Sequence, residues 1–220
     1  MKIKIKENQF KILKEAMMDG FSTEKLSSLN SFRQRVLYCK EMLGNPIGRG
    51  SSRIVFQIDD EKVLKLAMNP KGIAQNEVEG DWGASNNYGD SVPKLFYVDD
   101  DNYYFIITEF VLPAKPKDFE VALGISFEEF CDFVKYRYNS YCRNGRQTRT
   151  RMTDERFEEL CENSEWLYDF QIYLGDYQPP FGDLVVIGNY GMTQRDGDAT
   201  IVLLDSGLTD EVYNNYYSNR

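Results

Sequence analysis

Residues 44–67, GNPIGRGSSRIVFQIDDEKVLKLA, hold the change of pattern on which the fold turns. Up to Leu43 the apolar residues suit a helix, and Gly44 and Pro46 end it. From Ile47 the period becomes two: SRIVFQI and KVLKLA flank the polar turn DDE, which predicts a β-hairpin. Gly48 and Gly50 precede the first arm, and a lone Lys65 sits inside the apolar second arm. In an edge strand such a lysine carries its head to solvent along its aliphatic stem. In a buried strand it needs a carboxylate to offset its lost hydration.

The segment QNEVEG supplies that carboxylate twice, as Glu77 and Glu79, on a helix expected over KGIAQNEVEGDW. Two residues apart on a helix, their side chains point about 200° apart, so only one can face the strand. Glu79 is the expected partner and Glu77 the runner-up. The plain alternative is a pair of solvated helix-face acids.

Around this core the chain reads as α+β. Phe10, Leu13 and Met17 predict a helix over residues 7–18, and a second runs from near Ser22 to Leu43. PKLFYV and YYFIITEFV predict two more strands about the turn DDDN. SFEEFCDFVKYRYNSY and TDERFEELCENSEWLYDFQIYLG predict long helices, and DLVVIGNYGM and ATIVLLD a closing hairpin about RDGD. The expected organisation is a helical arm over 1–43, a strand-rich lobe over 44–114 and a helix-rich lobe over 115–220.

Composition narrows the chemistry. With 220 residues, 42% hydrophobic and 14% aromatic, the chain can build a real core. It contains no histidine, which excludes Ser-His-Asp and Cys-His catalysis, HExxH metalloproteases and histidine zinc sites. Acid–base work falls to carboxylates, lysine, tyrosine or cysteine. Cys39, Cys131, Cys142 and Cys161 lack paired metal spacing and read as reduced thiols. The net charge of −9 disfavours non-specific binding to nucleic acid or anionic membrane. No apolar run approaches a membrane span, so a cytoplasmic protein is expected.

Two further segments carry oxygen ligands. FGDLVVIGNYG holds Asp183 and Asn189, and the apolar run TIVLL ends in Asp205, followed by Ser206 and Gly207. Either aspartate alone reads equally well as a turn residue.

Taken in order, the glycine loop, Lys65, Glu79, Asp183, Asn189 and Asp205 resemble the protein-kinase-like pattern, over residues 44–208. The resemblance implies a two-lobed fold that binds ATP and Mg2+. Gly48, Gly50, Ser51 and Ser52 would cover the phosphates, Val55 the adenine, and Lys65, oriented by Glu79, would hold two phosphates. In the hinge ITEFVLPA, Thr108 would be the gatekeeper, with the backbone of Glu109 and Val111 meeting the adenine. Asp183 would be the catalytic carboxylate, and Asn189 and Asp205 the magnesium ligands. The reaction implied is transfer of the γ-phosphoryl group to an unidentified hydroxyl acceptor. A catalytically inactive pseudokinase, serving as a binding or structural module, is the alternative.

The pattern departs from the family in four places. Arg53 replaces the third loop glycine, and Phe181 and Gly182 replace the His-Arg before the catalytic aspartate. Asp183 to Asn189 is one residue longer than the family spacing, with Ser206 for the phenylalanine of DFG. The sequence ends 13 residues after Gly207, which suggests a truncated form. Its style resembles small kinase-like proteins of bacteriophages, whose setting would be the host cytoplasm. The helical arm matches no part of the pattern and leaves room for a protein partner.

One basic stretch lies outside that pattern. KYRYNSYCRNGRQTRTR, residues 135–151, carries Lys135, Arg137, Arg143, Arg146, Arg149 and Arg151 with no acid among them. Arginine interleaved with tyrosine suits a nucleic-acid or phosphate surface. A solvated helix end and loop is the plainer reading, so a nucleic-acid partner is not expected elsewhere in the chain.

Overall fold

The computed structural model describes residues 20–85, 91–141 and 147–217, with residues 82–85 described by backbone alone. The helix expected over residues 7–18, together with Cys142, Arg143 and Arg146, falls outside these. The described residues divide into two units, 20–80 with Leu95–Phe110, and 81–85 and 91–94 with 111–141 and 147–217.

The first unit is built on an antiparallel sheet in the order β1-β2-β3-β5-β4. Its strands are β1 (Gly48–Arg49), β2 (Arg53–Gln57), β3 (Lys62–Ala67), β4 (Leu95–Val98) and β5 (Phe105–Glu109). Register assigns the two faces. Ile54 lies opposite Leu66, Phe56 opposite Leu64, and these two β3 residues lie opposite Phe105 and Ile107. All six belong to one apolar cluster with Leu26, Tyr38 and Cys39 from helices α1 (Thr23–Ser28) and α2 (Phe32–Leu43). Each such side chain, fully buried, contributes roughly 1.5–3 kcal/mol. The intervening positions Val55, Lys65 and Ile106 share the other face, because side chains alternate along a strand.

One helix was expected from Ser22 to Leu43, but two form. Ser22 and Ser31 each accept a backbone N–H three residues on, from Lys25 and Gln34, so each serine starts its own helix. Arg35 on α2 is buried, donates to the Leu29 carbonyl at 2.5 Å, and stacks 3.4 Å over the Tyr104 ring.

Helix α3 (Pro70–Ser85) begins directly after β3. The Asn69 carboxamide accepts from Lys71 and Gly72, and Pro70 needs no donor in the first turn. A Cβ at Gly72 would collide with the Ser52 carbonyl and the Ala67 backbone. Glycine here lets the first turn of α3 lie flush against the sheet.

The second unit carries strands β6 (Leu112–Pro113), β7 (Tyr190–Arg195) and β8 (Asp198–Leu203) in that order. Helices α4 (Pro116–Leu123), α5 (Phe127–Tyr141), α6 (Asp154–Asn163) and α7 (Glu165–Tyr177) precede the hairpin. Phe119, Phe130, Phe170 and Tyr190 form its aromatic centre, all fully buried. The long helix expected after Thr153 is broken at Ser164, whose hydroxyl accepts from Leu167 and starts α7. Helix α4, between its Pro116 start and the left-handed Gly124 (φ 71°), was not read from the sequence as a separate element.

The β7–β8 hairpin turns on Asp196 and Gly197 at φ 53° and 95°, the left-handed pair a two-residue turn requires. Its first arm starts later than expected. Residues 183–189 were read as strand, yet Phe181–Leu184 is a short helix, α8, and Ile187–Asn189 a 3-10 turn. The Asn189 amide donates to the Asp183 carbonyl at 2.7 Å and the Tyr190 hydroxyl to the Leu184 carbonyl at 2.8 Å. These local bonds satisfy backbone groups that a ladder would otherwise use. A last helix, α9 (Asp210–Tyr216), follows β8. No described helix is long and apolar enough to cross a membrane.

Candidate functional site

Lys65 lies inside β3 and is buried, with 7% exposure. Its Nζ is 2.6 Å from Glu79 Oε2, and Glu79 is 5% exposed. Glu77 is exposed, as the roughly 200° between the two positions demands. The lysine is therefore not the solvent-seeking edge residue, since β3 has β2 on one side and β5 on the other.

A second cation shares the carboxylate. Arg53 on β2 is buried and places NH2 2.7 Å from Glu79 Oε1, so each carboxylate oxygen faces its own cation. Burial works to raise the Glu79 carboxyl pKa, but Arg53 and Lys65 outweigh it and hold the group at about 2. From sequence, Arg53 looked like a missing glycine and nothing more. Its signal was its position: Arg53 and Val55 are two apart on β2, and Val55 lies opposite Lys65, so Arg53 shares the Lys65 face.

The glycine hairpin runs through β1 into β2. Gly50 and Ser51 are exposed, and the Gly50 N–H donates to the Arg53 carbonyl at 2.9 Å. Neither Gly48 nor Gly50 is needed by the chain's own geometry. A Cβ at Gly48 would come no closer than 3.7 Å to Val55, and one at Gly50 would stay 3.9 Å from the Arg53 carbonyl. Ser52 differs from Ser51: it is buried, and its hydroxyl donates to Gln75 Oε1 at 2.5 Å. Val55 is half-buried opposite Lys65.

Further along the same face, Thr108 lies on β5 two residues from Ile106, the residue opposite Lys65. It is 3% exposed and its Oγ1 has no hydrogen-bond partner among the described residues. An orphaned buried hydroxyl is uncommon, because desolvation without a bond costs roughly 1–3 kcal/mol. Glu109, the next residue, is half-buried and lies opposite Lys62.

The second unit holds the remaining residues. Val111 is buried. Asp183 lies within the short helix α8, Asn189 ends the 3-10 turn, and Asp205 follows β8 by two residues. The Asn189 amide nitrogen is committed to the Asp183 carbonyl, while its backbone carbonyl accepts from Leu204 at 2.8 Å. Asn189 is thus fixed between the two aspartate-bearing segments, with its side-chain oxygen as the atom able to ligate. Both aspartates are exposed. Partial desolvation, with the Asp205 charge in second place, raises the Asp183 carboxyl pKa from its ordinary value. Two carboxylates in mutual electrostatic reach, with the Asn189 carboxamide fixed against the Asp183 backbone, offer hard oxygen donors of the kind that magnesium takes. No group of three or more carboxylates or thiols in ligating arrangement occurs among the described residues.

The basic stretch meets acids in space that it lacks in sequence. Lys135 pairs with Asp132 at 2.7 Å, Arg151 with Glu128 at 3.0 Å, and Arg137 donates to the Gln171 carbonyl. The acids lie on α5, one turn or a loop away, which the linear charge count could not show.

No protein-family model and no curated protein matches the sequence. Nine chains of solved structures do match. One of them, the ternary complex of streptomycin, ATP and APH(2")-IIa, shares 11% identity, over 94% of this chain and 73% of that one, with a TM-score of 0.31. A likeness at that level carries no functional inference.

Proposed function

We propose that the chain is an ATP- and magnesium-binding protein of kinase-like fold that transfers the γ-phosphoryl group to a hydroxyl acceptor. The observation that carries this reading is the buried Lys65–Glu79 pair on the sheet face behind a glycine hairpin. A carboxylate that stays ionised keeps a lysine charged and aimed, which is what a lysine needs to hold two phosphates. Glycines that the chain's own packing does not require, at Gly48 and Gly50, suit close approach by a phosphate. The orphaned Thr108 hydroxyl suits a polar edge of a base, with the Glu109 and Val111 backbone beside it in sequence. Ser51 supplies an exposed hydroxyl, whereas Ser52 contributes backbone only.

On the second unit, Asn189 and Asp205 are the residues that would hold magnesium, which when bound neutralises charge on the phosphates. Asp183 orients the acceptor hydroxyl and takes its proton. The bond from the acceptor oxygen to the γ-phosphorus forms as the β–γ bridge bond breaks, and the electron pair leaves with ADP. A raised Asp183 pKa favours that proton transfer.

A second reading is a pseudokinase that binds without turnover. Phe181 and Gly182 before Asp183, and Ser206 after Asp205, favour it, because they depart from the kinase-like pattern beside the residues proposed for the chemistry.

The experiment is a thermal-shift series. Magnesium alone is expected to stabilise little, and magnesium with ATP by about 2.7 kcal/mol at 100 times the dissociation constant. Asp205→Asn reduces the joint effect, while Asp183→Asn spares binding and removes transfer. Equal stabilisation by ATP without metal, or no effect of Asp205→Asn, refutes phosphotransfer and leaves the binding module.

A further inference from the structure

Arg53 occupies a glycine position of the loop pattern, yet its guanidinium turns away from the hairpin tip and into α3. It reaches Glu79 at 2.7 Å and Asn76 Oδ1 at 3.4 Å. Neighbouring contacts tie the same stretch of chain to the same region. The Ser52 hydroxyl bonds Gln75 on α3, and the Ser52 carbonyl accepts from Met68 at 2.8 Å. The Asn69 carboxamide bonds the Ser51 carbonyl at 3.0 Å, and Gly72 packs where any side chain would collide. The helix that carries the partner of Lys65 is thereby fastened to β2 at its first turn by packing and at Glu79 by charge.

We propose that Arg53 is a positioning residue, a latch that holds α3 with Glu79 turned to Lys65, so that the pair assembles without an activating modification or partner. A planar guanidinium can engage a carboxylate and a neighbouring amide at once, which a point-charge ammonium does less well. Moving α3 away from the sheet means breaking the Arg53 contact as well as the Lys65 contact. The latch stands on the geometry of the first unit alone; its consequence for ATP rests on the proposed function.

The test compares Arg53→Met and Arg53→Lys with the parent by hydrogen exchange over residues 73–80 and by calorimetric titration with ATP and magnesium. Loss of one charge-assisted contact is expected to speed α3 exchange and weaken ATP binding, each about tenfold or more in Arg53→Met. Arg53→Lys falls between. Exchange in α5 and α7 of the second unit stays unchanged, which separates a latch from a general loss of stability.

Unchanged α3 exchange in Arg53→Met, or a uniform rise over the whole chain, overturns the proposal. Faster α3 exchange with unchanged ATP affinity supports the latch and overturns its consequence for ATP. If Arg53→Met does not fold, parent-like exchange in Arg53→Lys overturns the latch. Faster α3 exchange in a chain whose parent binds no ATP supports the latch and refutes the nucleotide reading.

Discussion

Glu79→Gln keeps the shape of the side chain and removes the carboxylate that Arg53 and Lys65 share. The magnitude follows from titration. The carboxyl sits at about 2 in the folded chain against an ordinary value of 4.5. At about 1.4 kcal/mol for each pKa unit, that difference is worth about 3 kcal/mol. An independent route agrees, since removing one partner of a buried ion pair costs about 3–5 kcal/mol. Because the folded pKa is depressed, the contribution is complete above the unfolded value and fades as pH falls toward 2. Urea unfolding followed by circular dichroism should therefore give a gap of about 3 kcal/mol between parent and variant near pH 7. About half of it remains near pH 3, and almost none near pH 2. A gap under about 1 kcal/mol at neutral pH, or one that does not shrink in acid, would refute the shared-carboxylate account.

Phe130→Ala removes a ring that meets Phe119, Phe170 and Tyr190, and is expected to cost about 3–5 kcal/mol in equilibrium unfolding. Gly72→Ala places a methyl group against the Ser52 carbonyl, and a loss of about 1–3 kcal/mol in the same assay is expected. Burial pushes the Cys39 thiol up to about 12, so in a timed labelling experiment near pH 8 it should react with a disulfide reagent only as the chain opens. Cys131 and Cys161, both half-buried, should react earlier.

Much of this architecture is legible in the sequence because alternation and capping are local. The β2–β3 hairpin follows from period-two patterning, and helix geometry limits the partner of Lys65 to one of Glu77 and Glu79. The capping serines Ser31 and Ser164 carried the helix breaks, but apolar residues continue on both sides and mask them. Residues 184–187 are an apolar run, which period alone cannot assign. Side-chain bonds from Asn189 and Tyr190 made it helix and turn. Arg53 was the residue least legible. Its partner is 26 positions away on another element, so only the register between β2 and β3 reveals that it faces Glu79. The acid that meets Arg151 was hidden for the same reason, whereas Asp132 stands one helical turn before Lys135.

Lys65, held by Glu79, is the phosphate-binding lysine of the proposed function. Titration calorimetry of ATP with magnesium into the parent and into Lys65→Met tests it most directly. Saturable binding to the parent at one site per chain is expected, weakened at least about tenfold in Lys65→Met by loss of a charge-assisted contact. Absence of binding to the parent, or equal affinity in the two proteins, would contradict it.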